Sequence, residues 1–263
     1  MTSGHDGSLE QHAHPDAARD QANWASMAGT LHVTEIPDGV ANINVEGLRV
    51  VGAVQGFGQL WRKTYRIRLD GAAVTPAEVV AVWKERFSSF WPRGSRFHAP
   101  LTGLAPGVVA LLDQMLPGRL RLSSGVMVLY ADDESFTVMS AEGMPFAGWN
   151  TFSAYDVDGV TVARVELLMR ADDPVFELCM LLFAHRMEDR HWQQTLHNLA
   201  ASFGVAGPVR YQTVCLDRRR QWSKAGNVWR NAAIRSALYT LAAPIRVARR
   251  TRTRKPHEGV TVR

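Results

Sequence analysis

The stretch AEGMPFAGWNTFSAYDVDGVTVARVELLMR, residues 141–170, decides the fold. It opens on a loop broken by Gly143, Pro145 and Gly148, alternates from Trp149 to Tyr155, turns at Asp156-Val157-Asp158-Gly159 and alternates again from Val160 to Arg170. Period-two alternation bounded by turn residues is the pattern of paired strands with one face buried. Asn150, Phe152 and Ala154 fall on one face, and Trp149, Thr151, Ser153 and Tyr155 on the other. On the next strand Thr161, Ala163, Val165, Leu167 and Met169 make the more apolar face, opposite Arg164 and Glu166. Phe152 is therefore expected to point inward and Trp149 outward or to a rim. Two destinations stay open for this aromatic surface: an ordinary packed core, or the wall of a cavity for an apolar ligand.

Working outward, Arg119 to Tyr130 and Ser135 to Ala141 carry the same period, so the four segments form an antiparallel meander. Upstream, glycine-broken strand text begins at Asn42. Its last piece, Trp61 to Leu69, puts Trp61, Lys63, Tyr65, Ile67 and Leu69 on one face of a half-exposed strand and Arg62, Thr64, Arg66 and Arg68 on the other. Thr75-Pro76-Ala77-Glu78 is a capping box with proline at the first helical position. The helix it starts carries Val79, Trp83, Phe87 and Phe90 on one stripe and stops at Trp91-Pro92. A second, shorter helix is expected over residues 107–115, before Leu116-Pro117-Gly118. Asp173-Pro174 caps the last long helix, whose stripe of His185, Trp192, Leu196, Leu199 and Phe203 runs to a C-terminal Gly204.

The chain has 263 residues, 46% of them hydrophobic and 21% charged, which is globular composition with matter enough for one sizeable core. Charge is unevenly spread. Residues 206–263 hold fourteen Lys and Arg against Asp217 and Glu258, whereas the first 205 residues carry sixteen basic and twenty-three acidic side chains. A basic end on an acidic body seeks a polyanionic surface, a partner protein, or the acidic body of its own or a second subunit. The text from Trp222 reads as an amphipathic helix with Ile234, Leu238 and Leu241 on one stripe, trailed by Arg246, Arg249, Arg250, Arg252 and Arg254. An anionic membrane surface, a protein partner and a homodimer are all open for it; the acidic body disfavours nucleic acid.

Cys179 and Cys215 are the only cysteines, which does not fit a disulfide-stapled secreted domain. The first 30 residues read as a disordered lead without an apolar core for a signal peptide, and Leu178 to Ala184 is far too short to span a bilayer. A cytoplasmic location, with peripheral membrane contact open, is the expectation.

No nucleophile elbow, phosphate loop or complete dinucleotide fingerprint is present, so no cofactor is called. Glu188 and His191 have the i, i+3 spacing of carboxylate and imidazole metal ligands, but the motif has no second copy and no metal site is called. His191, Asp189 and His98 are the candidates for acid–base work should the protein be an enzyme; no catalytic signature declares one.

Strand, helices, antiparallel strands and a long terminal helix is an order that resembles the START-like or SRPBCC superfamily, over about residues 55–205. GMPFAGWNTFSAY, RADDPVFE and EDRHWQQTLHNLA are similar to segments of uncharacterised actinobacterial members. The resemblance implies an α+β helix-grip fold, a curved antiparallel sheet wrapped around a long C-terminal helix, with a cavity between them. It also implies a binding protein for an apolar or amphipathic molecule such as a lipid or polyketide, or a cyclase or hydrolase on the same scaffold. Trp83, Phe87, Phe146, Phe152, Val165, Leu167, Trp192, Leu196 and Leu199 would then face the ligand. The domain would span residues 31–205, with residues 206–263 a basic extension that could act as an interaction arm.

Overall fold

The computed structural model describes residues 21–26, 29–34, 36, 40, 42–100, 102–115 and 121–242. Among these, nine strands form one antiparallel sheet: β1 (Val50–Val51), β2 (Leu60–Arg68), β3 (Ser95–His98), β4 (Val109–Met115), β5 (Arg121–Ala131), β6 (Ser135–Ala141), β7 (Phe146–Val157), β8 (Val160–Ala171) and β9 (Arg210–Asp217). Their order is β3-β4-β5-β6-β7-β8-β2-β9, with β1 added beside β6. The meander lies in sequence order, as short turns require, and β2 closes onto β8 from the far end of the chain. Phe152 faces Val165 across the β7–β8 pair, so the apolar sets of both strands share the inner face.

Helix α1 (Pro76–Arg86) starts where the capping box places it: Thr75 Oγ1 accepts from Glu78 N–H and Glu78 returns a bond to Thr75 N–H. A 3₁₀ turn, Phe87–Phe90, continues its stripe. After β8, Asp173 accepts from the N–H groups of Val175 and Phe176 and opens α2 (Pro174–Cys179). A π-helical turn, Met180–Ala184, joins α2 to α3 (His185–Ser202), the long helix held against the inner face. The architecture is the α+β helix-grip fold expected from the sequence, with one difference: β9 follows the long helix and pairs with β2, so the sheet extends past residue 205.

Other expectations are corrected. The segment read as a second helix is strand β4, whose residues Val109–Asp113 are all buried. Both its faces and those of β5 are covered, which erases the alternation that betrays a strand. The inner face meets the core, while the turn at Asn42–Gly47 and helix α4 (Ala232–Leu241) lie outside: Asn44 Nδ2 donates to Ser123 O, to Ala232 O and to Ser236 Oγ. Order also begins before Leu31, since Trp24 bridges to Tyr130 and its ring packs on the tyrosine. The strand text from Asn42 yields only β1 before β2.

The extension is partly docked on its own body. A 3₁₀ helix, Trp222–Arg230, leads into α4, which Asn231 caps; Asn231 Nδ2 also donates to Asp173 Oδ2, and Ala232 N–H donates to Gly143 O. Gly143, at φ +80°, is needed here because a Cβ would meet Arg230 O at 2.0 Å. Ala232 and Ser236 face the body, whereas Ile234, Leu238 and Leu241 are exposed. Arg246, Arg249, Arg250, Arg252 and Arg254 lie outside the described residues.

Candidate functional site

The interior between sheet and α3 divides in two. Around the second half of α3, Leu196 and Leu199 are fully buried in a closed core. An aromatic cluster fills the sheet side: Phe152 stacks on Phe136 at 4.7 Å, and Trp83 and Phe87 meet Phe152 edge-on at 5.4 and 4.9 Å. Around the first half of α3, helix and sheet part to leave a cleft of about 1080 Å³ open to solvent. Phe87, Phe152 and Trp192 border it against the cluster, Met144, Phe146 and Phe176 form a wall where the β6–β7 loop meets α2, and the π-helical turn supplies Phe183 and Ala184. Gly148, at φ +153°, also lines it; a Cβ there would strike Leu168 O at 2.1 Å, so the strand is kept bare at this point.

Of the nine residues expected to face a ligand, the structure places Phe87, Phe146, Phe152 and Trp192 on the cleft. The other five, Trp83, Val165, Leu167, Leu196 and Leu199, are fully enclosed and touch no open space. For these the expectation is corrected: Trp83 belongs to the aromatic cluster and Val165 lies opposite Phe152 on the next strand, so a residue on the correct face can still lie beneath the floor. Trp149 points outward, its ring lying over Gly52.

The cleft wall is mostly apolar; polar groups come to it from α3 and, across from the helix, from Arg93, Ser95, Gln114, Ser140 and Asn150. Glu188 and His191 both line it. Behind Glu188 stands Lys63, from the middle of β2 and only 1% exposed. Its Nζ lies 3.0 Å from Glu188 Oε2 and 2.8 Å from Asp189 Oδ1, and donates to His185 O at 3.4 Å; Tyr65 Oη donates to the same Asp189 oxygen at 2.6 Å. Burial pushes the Glu188 carboxyl up to about 7; Lys63 opposes that rise and the charge of Asp189 adds to it. Burial also lowers His191 to about 4, and His185 to about 4 with Lys63 contributing. The His191 ring sits edge-on between Trp91 and Trp192, at 4.8 and 4.7 Å.

Sequence reasoning missed Lys63 as part of the site. The signal was there: a lone cation on the face that carries Trp61, Tyr65 and Ile67, which demands a buried acid from whatever packs on it. Of the acid–base candidates, only His191 reaches the cleft; Asp189 is turned to Lys63 and Tyr65, and His98 pairs with Asp113 at 3.3 Å on β3 and β4. Among the described residues no group of three or more His, Cys, Asp or Glu is placed to hold a metal ion, and no helix is long and apolar enough to cross a membrane. A separate cleft of about 240 Å³, lined by Arg49, Glu142, Asp172, Lys224 and Arg230 among others, is polar and shares no residue with the first.

No family model matches this sequence, and no curated protein does either. Solved structures similar to the chain include a START superfamily protein from Mycobacterium smegmatis, at 19% identity over 55% of this chain and 99% of that one, TM-score 0.39. They also include the di-domain ARO/CYC StfQ from the steffimycin biosynthetic pathway (11% identity, 55% and 51% covered, TM-score 0.43) and Ara h 8.0201 (13%, 55% and 97%, TM-score 0.40). The helix-grip assignment rests on the strand order and on the seat of α3, not on these likenesses.

Proposed function

We propose that the protein binds an apolar small molecule, such as a lipid or polyketide, in the cleft between the sheet and the first half of α3. The observation that carries this reading is the cleft itself: about 1080 Å³ of space with mostly apolar walls, beside a core of buried apolar side chains. Water held against Phe87, Phe146, Phe152 and Trp192 is released when an apolar body replaces it, at roughly 25 cal/mol for each Å² covered. The exposed stripe of Ile234, Leu238 and Leu241 on α4, ahead of the arginine-rich end, supports a contact of this arm with an anionic membrane surface as part of the same proposal. Native mass spectrometry of protein purified without denaturation tests the main reading. A retained apolar molecule, lost when Ser140 on the cleft wall is replaced by Trp, is the expected result. A bare mass with no uptake of an apolar probe overturns it.

A further inference from the structure

The geometry points to Glu188 as the anchor for a hydroxyl group on an otherwise apolar ligand, an inference that rests on the cleft being the binding site. Glu188 is the only acidic side chain lining the cleft among the described residues, and it is 8% exposed. It is also one acid more than its surroundings call for. Lys63 is the cation of the cluster, and Asp189 already matches it: the Asp189 carboxylate takes hydrogen bonds from both Lys63 Nζ and Tyr65 Oη. Glu188 Oε2 lies 3.0 Å from Lys63 Nζ, an ion pair that takes up one of the roughly four lone-pair sites a carboxylate offers.

A carboxyl with spare hydrogen-bonding capacity in an apolar wall is expensive to leave unmatched. If the cluster served only to pin α3 to β2, one acid would suffice. The second carboxyl belongs to a residue of the cleft wall instead, with Oε2 turned back to a buried lysine. Paired with Lys63, the carboxylate offers its remaining lone pairs as acceptors. A carbonyl has no hydrogen to give them, and an ammonium would bring a second cation beside Lys63 into a mostly apolar cleft. A hydroxyl gives the hydrogen bond and adds no charge.

The test uses 2-naphthol and 2-methylnaphthalene, which differ by a hydroxyl in place of a methyl. Wild type is expected to bind 2-naphthol about tenfold more tightly than its methyl counterpart. In Glu188→Leu, where Lys63 keeps Asp189, the preference is expected to collapse to about one while 2-methylnaphthalene binds as before. Glu188→Gln, which preserves shape and one acceptor, guards against a folding defect and is expected to keep a reduced preference. Equal binding of the two probes by wild type, or a preference that survives in Glu188→Leu, overturns the anchor and leaves apolar binding intact. Failure of wild type to bind either probe overturns both this inference and the reading beneath it.

Discussion

The two halves of α3 face the same sheet and meet it differently. From Thr195 to Ala200 the helix buries Leu196 and Leu199 in the core, and His197 alone of this stretch reaches the cleft; from Met187 to Gln194 the same helix borders the cleft and brings an acid and an imidazole to it. The difference originates across the interior. Phe87, Phe136, Phe152 and Trp83 pack on one another to form the floor of the cleft, while bare Gly148 and short side chains such as Ser140 line its wall. A helical stripe therefore specifies which residues turn inward, and the partner surface decides whether they meet atoms or space.

The largest expected effect comes from removing the cation at the open half. Lys63→Met leaves buried Glu188 and partly buried Asp189 without their counter-charge and should cost about 3–5 kcal/mol in a denaturant titration. A loss under about 1 kcal/mol would mean that both acids find water, and that the cluster is less enclosed than its 1% exposed lysine indicates.

At the closed half, Leu196→Trp should cost roughly 1–3 kcal/mol by overpacking, because no space receives the ring. It should leave the affinity for an apolar probe unchanged. A tolerated tryptophan that blocks the probe would move the cleft floor deeper and erase the contrast between the halves.

His191 offers a pH-dependent comparison of smaller size. Its folded value near 4 lies below the ordinary 6.5, so between those limits the unfolded chain binds more protons and the imidazole costs stability as pH falls. Replacing it with Phe removes that cost. The stability of His191→Phe relative to wild type should rise by about 2 kcal/mol between pH 7.5 and pH 5, with the Glu188 and Asp172 titrations common to both proteins. A pH-independent difference would place His191 in contact with water.

Much of the fold was legible in the sequence because its signals are local. The Thr75 box, the Asp173-Pro174 cap and the alternation of β6, β7 and β8 each declare themselves within a dozen residues. Strand β4 was not, since a strand covered on both faces has no period to read, and the residues that cover β5 beside it, Asn44 and Ser236, stand 192 positions apart. The site was legible only in part for a similar reason. Phe87, Phe146, Phe152 and Trp192 could be placed on an inward face, but the same reasoning gave Trp83, Val165, Leu167, Leu196 and Leu199 equal standing. Part of what separates the two groups is the packing of Trp83 and Phe87 on Phe136 and Phe152, contacts between distant segments that no local spacing encodes. Lys63 and Glu188 were each visible as residues; their pairing over 125 positions was not.

The central claim is that one half of the interior is built as space for an apolar molecule. Its most direct test is fluorescence titration of N-phenyl-1-naphthylamine into wild type and into Ser140→Trp, with denaturation midpoints measured alongside. The account predicts saturable uptake by wild type and at least about tenfold weaker uptake by the variant, at a nearly unchanged midpoint because the new ring enters space that already exists. No saturable uptake by wild type, or a variant that binds as wild type does, would contradict it.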